Sequence, residues 1–353
     1  MDDIAARRAA CTDSFLGNGL IRPPELLASI DPGAAADIYG EGGVVAELEQ
    51  HVAAVLGKPA AVFLPSGTMA QGATLRVHAD RRTSRTILWH PYCHLDRHEG
   101  QAHSRLHQLI GRPLGEIEQL ITLDDLSEVA EPVAALLLEL PQRDLGGALP
   151  AWEDLVAQTS WARDRGAAVH LDGARLWEAS AGYERSPAEV AALFDTVYVS
   201  FYKGIGALPG CCVAGPEQDV AQVREWRGRL GGTLFAMWPA ASSALGLLDG
   251  ALAEMPARLR HARAIASALD EVVEVRVVPD PPQTPMMHLL LSVPAERYRA
   301  NARRLSEETG LWVWPSVADT GDPAVVRCEL AVGRATLRHK PEAIAEILAG
   351  LCA

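Results

Sequence analysis

Lysine is scarce in this sequence, and so is positive charge in general. Lys58, Lys203 and Lys340 are the only lysines among 353 residues, and Lys plus Arg number 32 against 45 Asp plus Glu, giving a formal net charge of -13. This acidic balance argues against a nucleic-acid partner or an anionic membrane surface. Any anion that the protein binds therefore needs a local positive site.

Two further absences exclude other classes. None of the six cysteines forms a Cys-x-x-Cys pair, so neither a metal site nor a disulfide framework is indicated, and we interpret them as core residues or free thiols. No apolar run approaches the length of a membrane span, and the first residues lack a basic segment followed by an apolar core. We expect a soluble, cytoplasmic protein.

From about residue 60 to 215, short apolar runs alternate with longer amphipathic ones such as 152–165. This rhythm predicts an α/β fold with a mainly parallel sheet covered by helices on both faces. The predicted strands are Ala60 to Leu64, Arg85 to Trp89, Ala134 to Leu140, Ala167 to Leu171, Thr196 to Ser200 and Cys211 to Ala214.

The length favours one large domain plus a smaller one. A helical run ends near Leu269, and the proline-rich segment 278–285 cannot continue it. We predict an N-terminal segment contributing to the site (1–40), a large domain (41–255) and a small C-terminal α+β domain (256–353). The small domain is predicted to contain the strands 287–292 and 324–331 and the helices 295–309 and 341–351.

The first informative motif is Pro65-Ser66-Gly67-Thr68, where an apolar strand ends in a turn that opens a helix. Free backbone N–H groups and the positive end of the helix dipole suit a phosphate there, the hydroxyls of Ser66 and Thr68 add donors, and Gly67 permits close approach. An ordinary helix cap explains the same residues. No Walker spacing occurs.

The second motif is His170-Leu-Asp172-Gly-Ala-Arg175, which places an acid and a base at the carboxyl end of a strand. Ligands bind at that edge of an open parallel sheet. Asp172 can pair with a protonated pyridine nitrogen, and Arg175 can contact a ring oxygen or a substrate carboxylate. The alternative is a simple ion pair at a strand end.

The third motif is Ser200-Phe-Tyr-Lys203-Gly204, in which a lysine follows a buried-looking strand. The other two lysines each lie beside a proline in surface-like contexts, so Lys203 stands out. A flexible lysine amine is the group that forms a Schiff base. A lone lysine after a strand is usually structural or solvated, so the combination of motifs carries the interpretation.

Taken together, the three motifs resemble the fold type I enzymes that depend on pyridoxal phosphate (PLP). With Tyr39-Gly40-Glu41, they resemble more closely the threonine aldolase branch of the β-eliminating lyases, clearly over residues 12–233 and weakly beyond. The resemblance implies a Schiff base on Lys203, pairing of the pyridine nitrogen with Asp172, and a phosphate held by Ser66, Gly67 and Thr68. Arg175 is implied to lie near both cofactor and substrate.

The resemblance also implies a histidine stacked on the cofactor ring, which corresponds to His94 because Glu99 follows at the family's interval. His90 is the competing choice, and either ring could equally belong to the core or the surface. Lys203, His94 and Asp172 are thus the predicted catalytic residues.

For the substrate carboxylate, the resemblance implies the small-domain Arg327, whose guanidinium suits bidentate binding. An arginine on the solvent face of an edge strand is the alternative. Thr12 lies where the family carries Arg-Ser-Asp-Thr and is implied to bind the same carboxylate, although the arginine of that motif is lost here.

Two departures from the family bear on the reaction. Threonine aldolases carry Glu-Asn-x-His after the central strand, whereas this chain has Glu139-Leu-Pro-Gln142-Arg143, and 231–235 replaces a glycine-rich run ending in Met-Arg-Gln. Aldol cleavage needs a base for the β-hydroxyl proton, which Gln142 cannot supply. His94, His90 or a water would have to serve.

Three hypotheses follow. The leading one is a PLP-dependent lyase that cleaves a β-hydroxy-α-amino acid to glycine and an aldehyde. The second keeps PLP but changes the reaction to β-elimination, racemisation or transamination. The third is a non-catalytic PLP-binding protein, against which an amino-acid-dependent spectral change would argue. The resemblance further implies a homodimer or homotetramer with sites at the interface, where Tyr39 and the segment 231–232 could cross between subunits.

Overall fold

The computed structural model describes residues 4–353, which form two compact units. The larger unit consists of Pro24–Asp144 and Leu149–Leu252, and the smaller unit of the described residues up to Pro23, Leu145–Ala148 and Ala253–Ala353. Residues 1–3, where the predicted segment 1–40 begins, lie outside the described residues. The division at residues 40 and 255 stays a prediction.

Short apolar runs form the strands of both units. In chain order the strands are β1 (Ala60–Leu64), β2 (Thr86–Trp89), β3 (Ile110–Pro113), β4 (Ala135–Glu139), β5 (Ala168–Gly173), β6 (Thr196–Ser200), β7 (Cys211–Gly215), β8 (Val275–Val278), β9 (Met286–Leu291), β10 (Ala318–Asp319) and β11 (Val326–Ala331).

The sheet of the larger unit has seven strands in the order β1-β7-β6-β5-β4-β2-β3. Strands β3, β2, β4, β5 and β6 pair in parallel, whereas β7 runs antiparallel to both β6 and β1. Every residue of β5 and β6 is buried, as expected of central strands covered on both faces. The carboxyl ends of β1, β2, β4, β5 and β6 therefore meet at one edge.

Helices cover this sheet and complete the smaller unit. In chain order the helices are α1 (Ile4–Ala10), α2 (Pro23–Ala28), α3 (Gly43–Val55), α4 (Gly67–Asp80), α5 (His94–Arg97), α6 (Ala102–Arg105), α7 (Leu123–Ser127), α8 (Trp152–Asp164), α9 (Leu176–Tyr183), α10 (Pro187–Ala191), α11 (Glu217–Arg229), α12 (Trp238–Leu269), α13 (Ala295–Thr309) and α14 (Pro341–Cys352), with 3-10 turns at Arg143–Leu145 and Thr336–Arg338.

Side-chain caps define where several helices begin. The Ser66 hydroxyl accepts a hydrogen bond from Met69 N and starts α4, while Thr122 with Asp125 and Ser186 with Glu189 form capping boxes at α7 and α10. Such caps satisfy backbone N–H groups that have no partner within the helix. The start of α4 is therefore set by the same serine that we assigned to the phosphate turn.

The smaller unit contains an antiparallel sheet in the order β10-β11-β9-β8. Along β11 the residues alternate between buried and half-buried, and Val326, Cys328 and Leu330 enter a core that also contains Phe15 and Tyr298. This period of two leaves Arg327 on the opposite, half-buried face.

The predicted fold class, α/β with a mainly parallel sheet and a smaller α+β part, is confirmed. The bounds of β1 and β6 match the prediction, and α13 begins and ends where expected. Three strands, β3, β8 and β10, were not predicted from the sequence, nor was the antiparallel direction of β7.

Over residues 4–353, no helix is both long and apolar enough to cross a membrane. All six cysteines are buried and free. No cluster of potential metal ligands occurs within that range.

Candidate active site

A cavity of about 520 Å³ opens at the carboxyl edge of the large sheet, and we call it the main cavity. It brings together seven of the predicted site residues, namely Ser66, Gly67, Thr68, His94, Asp172, Arg175 and Lys203. They follow the ends of β1, β2, β5 and β6, so residues as far apart in sequence as Ser66 and Lys203 meet in one cavity. The other side chains that line it include Gln71, Glu99, Glu139, Arg143, Tyr198 and Tyr202.

One wall of the main cavity is the phosphate turn, residues Ser66 to Thr68. This turn joins β1 to α4, so the first N–H groups of α4 and the positive end of its dipole face the cavity. Gly67 lies against the hydroxyl of Tyr198, and a Cβ at this position would collide with that oxygen. Glycine is therefore required here by close packing, which leaves the backbone accessible to an anion.

Lys203 lies opposite, just beyond the end of β6. Its amine is 5.2 Å from the ring centroid of Tyr202 and 5.9 Å from that of Tyr198. It also contributes a positive charge that favours ionisation of Asp172. Both rings are close enough for a cation–π interaction with the amine, and both line the main cavity beside it.

The floor contains two acidic side chains, Glu139 and Asp172, which we call the carboxylate pair. They are direct register partners at the ends of β4 and β5. Burial, reinforced by the charge of Asp172, raises the pKa of Glu139 to about 8. Burial also raises the pKa of Asp172, while the charge of Lys203 opposes this. A buried pair of this kind stabilises a cationic ligand group.

Two arginines line the main cavity. Arg175 follows β5 and immediately precedes α9, and its charge partly opposes the rise in the pKa of Glu139. Arg143 follows β4 in a 3-10 turn whose backbone N–H donates to Glu139 Oε1 at 3.2 Å. A planar guanidinium at either position can bind a carboxylate through two parallel hydrogen bonds.

The histidine at the mouth of the main cavity is His94. Its Nδ1 lies 3.0 Å from Glu99 Oε1, and the His94 side chain is 46% exposed whereas that of Glu99 is 3% exposed. When the Glu99 carboxylate accepts a hydrogen bond from Nδ1–H of His94, the lone pair of the ring lies on Nε2. His94 can therefore accept a proton from a ligand.

His90, the competing choice, has a different environment. Its Nε2 donates to the carbonyl of Gln119 at 2.7 Å, and its Nδ1 accepts from Tyr92 N at 3.0 Å. Burial lowers its pKa, and only 4% of the residue is exposed. Because both ring nitrogens have backbone partners, neither is available to a ligand, and we interpret His90 as a structural residue.

Gln142, at the position of the missing family histidine, turns away from the main cavity. Its amide donates to Glu139 Oε2 at 3.0 Å, and the side chain lines a separate cavity of about 20 Å³ beside His90 and Gln158. No base from this loop therefore reaches the main cavity in the described structure.

The two remaining predicted residues belong to the smaller unit. Thr12 is exposed and its backbone N–H donates to Gly310 O at 2.9 Å, and Arg327 is half-buried on β11 between Leu290 and Ala318. Their assignment to the substrate carboxylate stays a prediction.

Sequence reasoning overlooked several side chains of the main cavity. Tyr198 alternates with the apolar residues of β6, and Tyr202 precedes the lysine, so an aromatic pair around Lys203 could have been noticed. Gln71 follows Gly67 by one helical turn, which places it on the same face of α4. Arg143 could be found only as a departure from the family pattern.

The donor set of the main cavity fits pyridoxal phosphate. The phosphate turn offers backbone N–H groups at a helix start, Asp172 is a buried carboxylate, Lys203 supplies an amine, and His94 supplies an aromatic face. The turn suits the anionic phosphate, and Asp172 suits the protonated pyridine nitrogen. Lys203 suits the electrophilic aldehyde carbon, and His94 suits the planar ring.

Comparisons with known proteins show the family of this chain. Residues 29–292 match the model of the family described as Beta-eliminating lyase. A solved structure of a "putative L-allo-threonine aldolase" from Listeria monocytogenes EGD-E is 35% identical and superposes with a TM-score of 0.92, covering 98% of this chain and 97% of that one. One from Exiguobacterium sp. 255-15 is 34% identical, with a TM-score of 0.91 and 98% and 99% coverage.

Relatives known from sequence agree. The low-specificity L-threonine aldolase 1 of Arabidopsis thaliana is 26% identical over 285 residues, which is 78% of this chain and 79% of that protein.

Proposed function

Since the chain belongs to the beta-eliminating lyase family, whose threonine aldolase branch consists of PLP-dependent lyases, we propose that it cleaves a β-hydroxy-α-amino acid to glycine and an aldehyde. The observation that carries this proposal is the convergence of Lys203, Asp172 and His94 on one cavity beside the phosphate turn. Threonine aldolases among its relatives support the substrate class.

In the proposed mechanism, Ser66, Gly67 and Thr68 would hold the phosphate, Asp172 would pair with the pyridine nitrogen, and Lys203 would provide the attachment point. When bound, the cofactor supplies an electron sink for the electron pair left at Cα. The negative charge of Asp172 strengthens that sink because it stabilises a protonated ring nitrogen in a buried site.

His94 is the proposed base. Its Nε2 accepts the β-hydroxyl proton as the Cα–Cβ bond breaks, the hydroxyl oxygen becomes the aldehyde oxygen, and a proton returned to Cα completes glycine. Glu99 stabilises the positive charge that His94 acquires, since it lies 3.0 Å from Nδ1. The tightly bonded His90 is not suited to this role.

Arg175 is the proposed partner of the substrate carboxylate within the larger unit, since it lines the main cavity beside Asp172. We propose Thr12 and Arg327 for the same carboxylate on the ground of the family resemblance. Replacing Arg327 with Lys is expected to raise KM more than it lowers kcat, because the charge is kept but bidentate binding is lost.

The test is to incubate the PLP-loaded protein with threonine, allo-threonine and phenylserine of either hand and to measure aldehyde and glycine. The proposal expects aldehyde and glycine in equal amounts from at least one substrate. It is wrong if the loaded protein releases aldehyde from none of them.

The orientation of Gln142 favours a second candidate, a PLP reaction that breaks a different bond. Its amide is turned to Glu139, so the loop after β4 offers no imidazole for the β-hydroxyl. Exchange of the Cα proton in deuterated water without aldehyde release would favour racemisation or transamination, and release of a keto acid and ammonia would favour β-elimination.

We further propose that the protein is a homo-oligomer. Ile38, Tyr39, Leu234 and Phe235 are 62%, 55%, 47% and 66% exposed, and the rings of Tyr39 and Phe235 meet edge to face at 5.4 Å. Tyr39 also has a φ of 53°, which is costly for a bulky residue and typical of functional positions. Light scattering coupled to size exclusion tests this, with a monomer as the contrary result.

The proposed location is the cytoplasm, where six free cysteines stay reduced. Fractionation of the source cells tests it, and recovery of the protein outside the cytoplasm would contradict it.

A further inference from the structure

Two buried polar residues of α4 line two different cavities. Gln71 and His78 are seven residues apart, or two turns, so they lie on one helix face. Both are 2% exposed, and Gln71 lines the main cavity. His78 instead lines a second cavity of about 520 Å³ near the amino ends of β5 and β6, beside Arg81, Arg82 and Arg163.

Hydrogen bonds connect these two residues through the sheet. Gln71 Oε1 lies 2.7 Å from His170 Nε2, His170 Nδ1 lies 2.8 Å from Thr196 Oγ1, and Thr196 Oγ1 lies 2.8 Å from His78 Nε2. His170 and Thr196 are register partners on β5 and β6, and both are fully buried. We call Gln71, His170, Thr196 and His78 the histidine network.

The network has a direction that follows from counting protons. We assign the proton of His170 to Nε2 because Gln71 Oε1 is its partner there, and Nδ1 then accepts from the Thr196 hydroxyl. A hydroxyl has one proton, so Thr196 in turn accepts from His78 Nε2. Every bond therefore points from His78 toward the main cavity.

The result at the end of the network is an oriented amide. With Oε1 held by His170, the nitrogen of Gln71 is turned toward the main cavity, and it has no acceptor among residues 4–353. Gln71 is one turn beyond Gly67 and Thr68 on the same face of α4. The main cavity gives this nitrogen access to a ligand oxygen, and a hydrogen bond to a charged oxygen is stronger than one between neutral groups.

We propose that Gln71 binds an anionic oxygen of the bound cofactor through its amide nitrogen, and that His170, Thr196 and His78 are positioning residues that fix this donor. The proposal rests on the PLP site described above. The acceptor is either a phosphate oxygen or the ring oxygen of the cofactor, and the experiments below distinguish the two.

The network stays neutral, which keeps its direction constant. Burial lowers the pKa of His170 to about 3. Burial also lowers the pKa of His78 well below its ordinary value, and His170, Arg82 and Arg81 add to this effect. No charge in the network competes with the cofactor for the amide of Gln71.

The first test measures the affinity of the apoprotein for PLP by absorbance titration. Gln71→Glu keeps the acceptor for His170 but replaces the donor with a carboxylate, and Gln71→Leu removes both. Both are expected to raise Kd about 10- to 100-fold, because a hydrogen bond to a charged oxygen is lost. Gln158→Leu is the matched control, since Gln158 is equally buried and its side chain donates to Ile121 O, away from the main cavity.

The two oxygen sources give different results in the same experiment. If the acceptor is the phosphate, inorganic phosphate competes with PLP less strongly in Gln71→Leu than in the wild type, and the affinity for pyridoxal is equal in the two proteins. If the acceptor is the ring oxygen, the affinity for pyridoxal falls as well.

Thr196→Val tests the positioning role without touching the main cavity. It should weaken PLP binding about 2- to 10-fold, since the donor is still present but no longer oriented. A purely structural threonine would lower the Tm of the apoprotein and leave Kd of the folded protein unchanged. This variant also keeps the proposal testable if the Gln71 variants fail to fold.

A direct readout uses nitrogen-15 NMR of histidine in the apoprotein. The proposal expects His170 with a proton on Nε2 and a bare Nδ1, a pattern lost in Thr196→Val. A proton on Nδ1 would reverse the network and overturn the proposal, as would unchanged PLP affinity in both Gln71 variants. If the wild type itself does not bind PLP, the proposed function fails instead.

Discussion

Two buried polar groups under the main cavity respond to burial in opposite ways. In the carboxylate pair, burial raises the pKa of Glu139 to about 8, and two acidic groups face each other across β4 and β5. In the histidine network, burial lowers the pKa of His170 to about 3, and each imidazole nitrogen of His170 has a partner. Strand β5 contributes to both groups, since it contains His170 of the histidine network and Asp172 of the carboxylate pair.

The difference shows how one sheet combines rigidity with reactivity. Neutral groups with complete hydrogen bonds can be buried at little cost and hold their neighbours in fixed orientations. Acidic groups brought together in a buried site instead carry an unfavourable energy, which a cationic ligand group can relieve. We therefore expect substitutions in the carboxylate pair to affect chemistry and those in the histidine network to affect binding and stability.

The largest effect is expected for Asp172→Asn. Loss of the negative charge opposite the pyridine nitrogen should lower kcat about 10²- to 10³-fold, the usual cost of removing one preorganised electrostatic group. Steady-state kinetics with saturating PLP measures it. Asp195→Asn is the control, because Asp195 accepts from Val169 N at the other end of β5. Equal kcat values in Asp172→Asn and Asp195→Asn would contradict the expected role of the carboxylate pair in the chemistry.

The next effect separates two histidines that are four residues apart. His94→Gln should lower kcat at least about 10²-fold because a general base is lost, whereas His90→Gln should leave it nearly unchanged. Steady-state kinetics of both variants with saturating PLP measures these values. A larger loss in His90→Gln would mean that the base was assigned to the wrong ring.

A smaller effect concerns the stability of the apoprotein at alkaline pH. The pKa of Glu139 is raised from its ordinary value of 4.5 to about 8, so between these pH values the folded protein holds a proton that the unfolded chain has released. Stability therefore falls as the pH rises through this window. In Glu139→Gln this fall should be reduced, giving a higher Tm at pH 8 relative to pH 5 than in the wild type. Parallel Tm profiles would contradict the shifted pKa.

The smallest effect is expected at acidic pH and arises from the histidines. The pKa of His170 is lowered from 6.5 to about 3 and that of His107 from 6.5 to about 4, so below pH 6.5 the unfolded chain binds protons that the folded protein does not. Stability is then lost as the pH falls. Replacing His170 with Asn should flatten this limb of the Tm profile, with His98→Asn, at an exposed position just after α5, as control. A profile as steep as that of the wild type would exclude His170 as its cause.

Much of the larger unit follows from local patterns in the sequence. The bounds of β1 and β6 could be predicted because continuous apolar runs end at turn residues, and the cavity residues Ser66, Asp172 and Lys203 were found because each follows such a strand. The elements missed were short or interrupted. Strand β3 contains Gly111 and Pro113 at the edge of the sheet, where ladder bonds are fewer.

Strand direction and side-chain orientation could not be derived in the same way. The segment between β6 and β7 is too short for a crossover, which could have indicated that β7 is antiparallel. The roles of His90 and His94 depend on the backbone partners at Gln119 and Tyr92, which are known only once the chain is folded. Gln71 escaped notice for the same reason, since its partner His170 is 99 residues away.

One consequence of helix α4 concerns motion rather than chemistry. Its first residues form the phosphate turn, and its last turn carries His78 at the second cavity. A ligand held at the first turn stabilises the whole helix against local opening, since binding to the closed form shifts that equilibrium by mass action. Amide hydrogen exchange along α4 is therefore expected to slow on PLP binding as far as residue 78, so the effect of the cofactor would extend from the carboxyl ends of the strands to the amino ends of β5 and β6.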